Sequence, residues 1–164
     1  MDKKVRTPKS SLDKEKITNY DTMTHINHVR RFMNKFVKDL LDRSEKHDNS
    51  KMEEPELPIF MEFTPRLGTV EYNSNEYKKF LEDMKPALDH HYANNSHHPE
   101  HFKNGIDDMS LIDLLELLAD WKGSTLRNKN GNIRKSLEIN KERFKISDQL
   151  YNILNNTINF IEKE

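Results

Sequence analysis

The chain has 164 residues, 34% of them hydrophobic and 34% charged, and its net charge is −1 with histidine neutral. This length predicts one domain with one core, and the near-neutral charge provides no overall basic field for nucleic acid. The chain has no cysteine, so disulfides and thiolate zinc sites are excluded, and a bound metal would need histidine and carboxylate ligands. No apolar run approaches the roughly 20 residues of a membrane span. The charged N-terminus has no apolar signal core, so we expect a soluble cytoplasmic protein that does not bind membranes.

An all-α fold is predicted, because only 4 glycines and 6 prolines interrupt the chain. Residues 1–17, rich in Lys, Asp and Ser, are interpreted as a flexible N-terminal arm, and residues 18–164 as a single helical metal-binding domain. The first helix is predicted over about residues 21–44, where apolar side chains recur at helical spacing. His25 lies at the edge of this apolar stripe and His28 points away from it, so His25 is the candidate ligand. The alternative for His25 is a histidine at the core edge, bonded to a backbone carbonyl.

His47 and Asp48 follow this helix directly. If the backbone turns there, both can ligate one metal, and a ring nitrogen with a carboxylate oxygen suits Mn, Fe, Mg or Zn. Residues 52–73 are punctuated by Pro55, Pro58 and Pro65 and predict an irregular connector with one short helix around residues 57–63. Such a connector either covers a site or simply links two helices.

The second helix is predicted to begin near Ser74, with a kink at Pro86, and its apolar face continues to His91 rather than His90. Five of the eight histidines lie in the twelve residues from His90 to His101. Histidines at this density favour a metal site, and the alternative is a solvated surface loop.

The third helix, about residues 110–122, has Ser110 as its cap and Asp113 in the capping-box position. It is apolar over most of its circumference and should be buried, with Asp113 and Glu116 assigned to a solvated stripe. Asp120 ends this apolar helix beside Trp121, where a carboxylate is costly unless it is paired or bound to metal. Residues 136–164 predict one or two further helices, the last capped at Ser147 or Asp148.

The order His25, His47-Asp48, Asp120 resembles the HD-domain superfamily of metal-dependent phosphohydrolases, an all-α bundle with the pattern His…His-Asp…Asp. The run from His47 to Lys51 resembles its His-Asp-x-x-Lys segment, and Leu118-Ala119-Asp120 resembles the end of its last ligand helix. The run from His97 to Glu100, followed by Asn104-Gly105, is similar to the His-His-x-Glu-x-x-Asp-Gly of the binuclear HD-GYP phosphodiesterases. No Gly-Tyr-Pro follows, so cyclic-dinucleotide specificity is not implied.

A closer resemblance covers nearly the whole chain. A family of small bacterial and tailed-phage proteins without an assigned function is similar to it at His25-Ile26, Arg43, the His47–Lys51 run, residues 68–72, the His97–His101 run and Asp120-Trp121. This resemblance supports His25 over His28 and a metal site in general, and it implies no substrate.

Together these resemblances imply an HD-domain-like helical bundle that holds one or two divalent metal ions. The first metal would take His25, His47, Asp48 and Asp120. The second would share Asp48 and add His91, His97 and His98, or only some of the three. The implied reaction is attack of metal-activated water on a small phosphorylated substrate, with a nucleotide expected.

Other residues receive supporting roles in this hypothesis. Lys51 would hold a phosphate oxygen, and Glu100 would orient His98 or His101 or move the leaving-group proton. His90 is interpreted as a surface residue. Surface charge is the role expected for Arg43, Arg66 and Lys103, and phosphate contact is the alternative for each. Two alternatives stay open: a di-iron oxygenase with the same fold, and a non-catalytic binding or regulatory module whose metal only stabilises the fold. The sequence leaves the metal, the substrate and the oligomeric state open.

Overall fold

The structure, a computed structural model, describes residues 10–67, 69–70, 74–127 and 130–163. In these ranges the chain forms seven α-helices and three short 3₁₀ helices and no β-strand, so the predicted all-α class is confirmed. The α-helices are α1 (Ser11–Lys46), α2 (Glu56–Leu67), α3 (Asn75–Asp83), α4 (Lys85–Asn94), α5 (Leu111–Thr125), α6 (Ile133–Phe144) and α7 (Asp148–Ile161). The 3₁₀ helices are Asn49–Met52, Pro99–His101 and Gly105–Asp108. None of the described helices is both long and apolar enough to cross a membrane.

The chain divides into two units, residues 1–42 and 43–164. The described part of the first unit is α1 up to residue 42. This helix begins ten residues earlier than the predicted start at about residue 21, because Ser10 Oγ accepts a hydrogen bond from the Asp13 N–H at 3.1 Å and no Gly or Pro interrupts residues 11–46. The predicted boundary after residue 17 therefore falls inside α1, while residues 1–9 of the predicted arm lie outside the described residues. The independence of residues 1–17 from the domain stays a prediction.

No residue of α1 is buried. Its apolar stripe is present as predicted, but Phe32, Met33 and Phe36 each remain at least half exposed, at 53%, 55% and 50%. The core of the described chain is therefore built from other helices.

The second unit holds a core made by α5, α6 and α7. Its buried side chains are Ile106, Leu114, Leu117, Leu118, Trp121, Ile133, Leu137, Ile146, Leu154 and Ile158. The capping box of Ser110 and Asp113 is present at the start of α5, and Ser147 caps α7, as the sequence predicted. The predicted burial of α5 is confirmed for one face, which includes Leu117 and Trp121, whereas Leu111 and Leu115 remain 74% and 42% exposed.

On the other side of this unit, α2 packs against α4 and against the 3₁₀ helix Asn49–Met52. Ser74 caps α3, accepting the Tyr77 N–H at 3.1 Å. The predicted kink is a full break: α3 ends before Met84, and Pro86 lies in the first turn of α4, where its missing N–H would have had no helical partner. The connector is more ordered than predicted, since α2 covers residues 56–67.

Candidate metal centre

The donor side chains predicted within the second unit converge from four places in the chain. They are His47 and Asp48 after α1, His91 in α4, His97 and His98 before the 3₁₀ helix Pro99–His101, and Asp120 in α5. His25 belongs to the other unit, residues 1–42, and its side chain is exposed. The assignment of these residues as metal ligands stays a prediction.

Asp48 is the central residue of this cluster. Its backbone is left-handed, with φ 58° and ψ 12°, a conformation that is uncommon outside glycine but that Asp adopts more readily than most residues. The turn ends α1 and directs the Asp48 carboxylate towards the histidines. Oδ1 lies 3.2 Å from His91 Nε2 and 3.4 Å from His97 Nε2, and Oδ2 lies 2.6 Å from Lys51 Nζ.

Three sets of donor atoms each fall within 4.8 Å of one another. They are Asp48, His91, His97 and His98; His47, Asp48 and Asp120; and His47, His97 and Glu116. Asp48 is common to the first two sets, and this matches the shared carboxylate of the predicted two-metal arrangement. A group that could hold a metal ion is therefore present.

Two further carboxylates lie behind the histidines. Glu116 Oε1 is 2.9 Å from His47 Nδ1 and 3.2 Å from His97 Nδ1, and Glu56 Oε2 is 2.9 Å from His91 Nδ1. Because an ionised carboxylate only accepts, the hydrogen bonds to Glu116 and Glu56 place a proton on Nδ1 of His47 and of His91, while His97 Nδ1 lies within ion-pair distance of Glu116. All three Nε2 atoms face Asp48, at distances of 3.6, 3.2 and 3.4 Å. This is how protein carboxylates orient metal-binding histidines.

Glu116 is itself held by Arg43. Arg43 Nη1 donates to Glu116 Oε2 at 2.9 Å, pairs with Asp113 Oδ1 at 2.9 Å and donates to Ser96 Oγ at 3.2 Å. Ser96 in turn donates to Asp113 Oδ1 at 2.8 Å. This network joins the end of α1 to α5 and to the residue before His97.

The expectation that Arg43, Asp113 and Glu116 are solvent-facing charges is therefore wrong. Asp113 is buried, and Glu116 and Arg43 are partly buried. A charged stripe on a helix looks the same in sequence whether it faces water or other charged groups.

The electrostatics of the cluster favour a cation. The Asp120 carboxylate raises the pKa of His47 most, and burial opposes it, giving a pKa of about 9. Burial tends to raise the pKa of Asp48, but the nearby rings of His91 and His97 and the charge of Lys51 outweigh it and hold that pKa well below its usual range. Burial and the charges of His97 and His91 lower the pKa of His98 to about 3, so its ring is neutral at pH 7. Ionised carboxylates and the neutral His98 ring are in the states that metal binding requires, whereas His47, protonated at pH 7 without a metal, would release a proton when it binds one.

Two buried atoms at the centre have no hydrogen-bond partner among the described residues: Asp48 Oδ1 and His97 Nε2. In addition, His91 Nε2 and His98 Nε2 approach to 2.9 Å, a distance at which two ring nitrogens must share a proton or a cation. Buried polar atoms are normally satisfied, and a divalent ion would satisfy these atoms together. The residues present therefore fit a metal ion.

The remaining predicted residues lie at different distances from this centre. Lys51 is beside Asp48, with Nζ also 5.5 Å from the Phe60 ring centroid. Glu100 lies towards the surface, where Oε1 accepts a hydrogen bond from Arg143 Nη2 at 2.7 Å. His101 Nδ1 donates to the Tyr92 carbonyl at 2.8 Å. Among the described residues, the side-chain ion pair of Glu100 is with Arg143, and the predicted role of Glu100 stays a prediction.

Sequence reasoning missed Glu56 and Glu116 as partners of the histidines. Glu116 lies four residues before Asp120 on α5, and this spacing places both on one helix face, which is a signal that could have found it. Glu56 follows Pro55 in the connector, and no spacing pattern marks it.

The sequence of residues 14–160 matches a family model described as a family of unknown function, DUF5662. The chain belongs to this family. No curated protein and no solved structure matches the chain. The family carries no assigned activity, so any function must be argued from the centre itself.

Proposed function

We propose that this protein is a metal-dependent phosphohydrolase, with an HD-domain-like bundle, that acts on a nucleotide or another small phosphoester. The observation that carries the proposal is the sharing of Asp48 between two donor groups, one with His91, His97 and His98 and one with His47 and Asp120. A carboxylate shared in this way is typical of two-metal sites that cleave phosphoesters.

When bound, one or two divalent ions such as Mn, Fe, Mg or Zn would polarise a phosphoryl oxygen and lower the pKa of water. The chain's own residues prepare the centre for this. Glu116 and Glu56 hold the histidines so that Nε2 faces Asp48, and Lys51 places an ammonium group at its edge. The Lys51 side chain is 30% exposed, and its ammonium group can bind a phosphate oxygen as a point charge.

The first test concerns the metal. Purified protein should contain bound metal by mass spectrometry, and the double variant His47→Ala plus Asp48→Ala should lose it, because Asp48 belongs to both donor groups. The matched control is His28→Ala plus Asp21→Ala, which changes the same residue types at exposed positions of α1. Metal content that is equal in the two double variants would contradict the site. A His25→Ala variant in the same series tests the predicted fourth ligand of the first metal.

The second test concerns the reaction. The metal-loaded protein is assayed on nucleoside mono-, di- and triphosphates and on cyclic nucleotides, with Mn²⁺, Mg²⁺ or Fe²⁺ added. Hydrolysis that disappears in the His47→Ala plus Asp48→Ala variant supports the proposal. A reducible iron pair without hydrolysis would favour the di-iron oxygenase. If a chelator removes the metal and unfolds the protein, and no substrate is turned over, the result would favour a binding or regulatory protein whose metal only stabilises the fold.

A further inference from the structure

Glu56, the first residue of α2, is a fully buried carboxylate with 0% of its surface exposed. Burying a carboxylate is costly unless its oxygens are bonded. Both oxygens are bonded here, each to a different histidine. Oε2 accepts from His91 Nδ1 at 2.9 Å, and Oε1 accepts from His90 Nδ1 at 2.7 Å.

The contact with His91 decides how that ring faces the centre. With Nδ1–H directed at Glu56, the lone pair of Nε2 points to the opposite side, where Asp48 Oδ1 lies at 3.2 Å. Two other groups approach the same Nδ1, Asn95 Nδ2 at 3.1 Å and Ser50 Oγ at 3.2 Å. Glu56 is the nearest of the three and the one that is a carboxylate.

His90 lies outside all three donor groups, and 39% of its side chain is exposed. Its contact with Glu56 shows that it is more than the surface residue that the sequence predicted. Without His90, the buried Oε1 would lose its 2.7 Å partner, and the Glu56 carboxylate could rotate away from His91.

We infer that Glu56 is a positioning residue for a cation at the Asp48–His91–His97–His98 group, and that His90 holds Glu56 in place. The inference rests on the metal binding in the proposed function and does not depend on the reaction. The series of contacts His90–Glu56–His91 links the centre to a partly exposed side chain that lies outside the donor groups. Cation affinity should therefore depend on two residues outside the ligand set.

The experiment uses Co²⁺ alone as the probe, with the full chain. Affinity is measured by competition with a chelator, the visible absorption spectrum reports the ligand geometry, and the free energy of unfolding is measured with chelator present. Loss of the partner that orients a ligating histidine typically costs about 10- to 100-fold in metal affinity, and we expect a loss of this size in Glu56→Ala, with a changed spectrum. His90→Ala should show a smaller loss in the same direction.

Glu56→Gln should lose less than about tenfold, because its amide oxygen can still accept from His91 while its NH₂ group donates to His90. The control for the carboxylate is Glu162→Ala, which removes a glutamate that is paired with Arg134 and belongs to none of the three donor groups. The control for stability is Leu154→Ala, which opens a cavity in the α5–α7 core. Both controls should keep the affinity and spectrum of the wild type.

Each outcome bears on the inference. A Glu56→Ala protein that binds Co²⁺ with the affinity and spectrum of the wild type overturns it, as does an equal loss in Leu154→Ala. Equal losses in Glu56→Gln and Glu56→Ala would show that charge, not position, is what matters. If Glu56→Ala does not fold, an unchanged His90→Ala protein overturns the inference by itself. A wild-type protein that binds no Co²⁺ overturns the metal site, whereas binding without hydrolysis leaves this inference intact and overturns only the proposed reaction.

Discussion

Replacing Glu116 by alanine should weaken metal binding more than any other change outside the two donor groups that share Asp48. One oxygen of Glu116, Oε1, serves two histidines, at 2.9 Å from His47 Nδ1 and 3.2 Å from His97 Nδ1. Each orienting partner is worth about 10- to 100-fold in affinity, so losing both should cost about 100-fold or more, which corresponds to about 2.8 kcal/mol. Arg43 keeps its ion pair with Asp113, so the network around it is not left with an unpaired cation.

The assay is Co²⁺ or Mn²⁺ affinity by competition with a chelator. Glu162→Ala is the matched control, because it also removes a glutamate that pairs with an arginine, at 2.9 Å, but belongs to none of the three donor groups. Glu116→Gln should fall between the wild type and Glu116→Ala, because its NH₂ group would replace one accepting oxygen and would face either His47 Nδ1 or Arg43, which are both donors. Affinity of Glu116→Ala within about twofold of Glu162→Ala, a difference of about 0.4 kcal/mol, would refute the reasoning.

Three further predictions concern other residues. Lys51→Met should raise the KM of any phosphorylated substrate without changing the metal content, and the KM of Lys51→Arg should lie between those of Lys51→Met and the wild type. Equal KM values in the wild type and the two variants would exclude a phosphate contact. In chelator-treated protein the folded-state pKa of His47 is raised from 6.5 to about 9. Protonated His47 therefore stabilises the folded state fully below pH 6.5, and this contribution is lost as the pH rises through 9. Urea unfolding at several pH values should show this decline in the wild type and not in a His47→Gln protein. Gly131→Ala should destabilise by about 1–3 kcal/mol, because an added Cβ would lie 1.9 Å from the Thr125 carbonyl oxygen. Gly123→Ala, on the open side of α5 with nothing within 4 Å, should instead stabilise by about 0.5–1 kcal/mol, and thermal melts of the two variants that shift in the same direction would contradict this pair.

How much of the fold and of the candidate site can be predicted from the sequence depends on whether a residue's role is determined by its sequence neighbours. Ser74, Ser110 and Ser147 were found as helix caps because capping is local and needs only a few neighbouring residues. Asp120 stood out because a carboxylate at the end of an apolar helix is costly without a partner. In these cases the neighbouring residues in the sequence were sufficient to predict the role.

Glu56 and Glu116 show where such reasoning ends. Their roles depend on His90 and His91, and on His47 and His97, which lie on other elements, so no window of sequence holds both partners. The start of α1 was missed for a different reason. Charged residues after Ser10 were interpreted as a loose tail, although Ser10 caps a helix that no glycine or proline interrupts.

The turn at Asp48 joins side chains from distant parts of a chain that has no cysteine. An ion held by Asp48, His91 and His98 would close a long loop of the polypeptide, as a disulfide does in secreted proteins. Closing such a loop removes conformational entropy from the unfolded chain. Occupancy of the site by the ion would therefore determine how long the folded chain resists proteolysis, in addition to enabling a reaction. The abundance of this protein in a cell would then follow the supply of the ion.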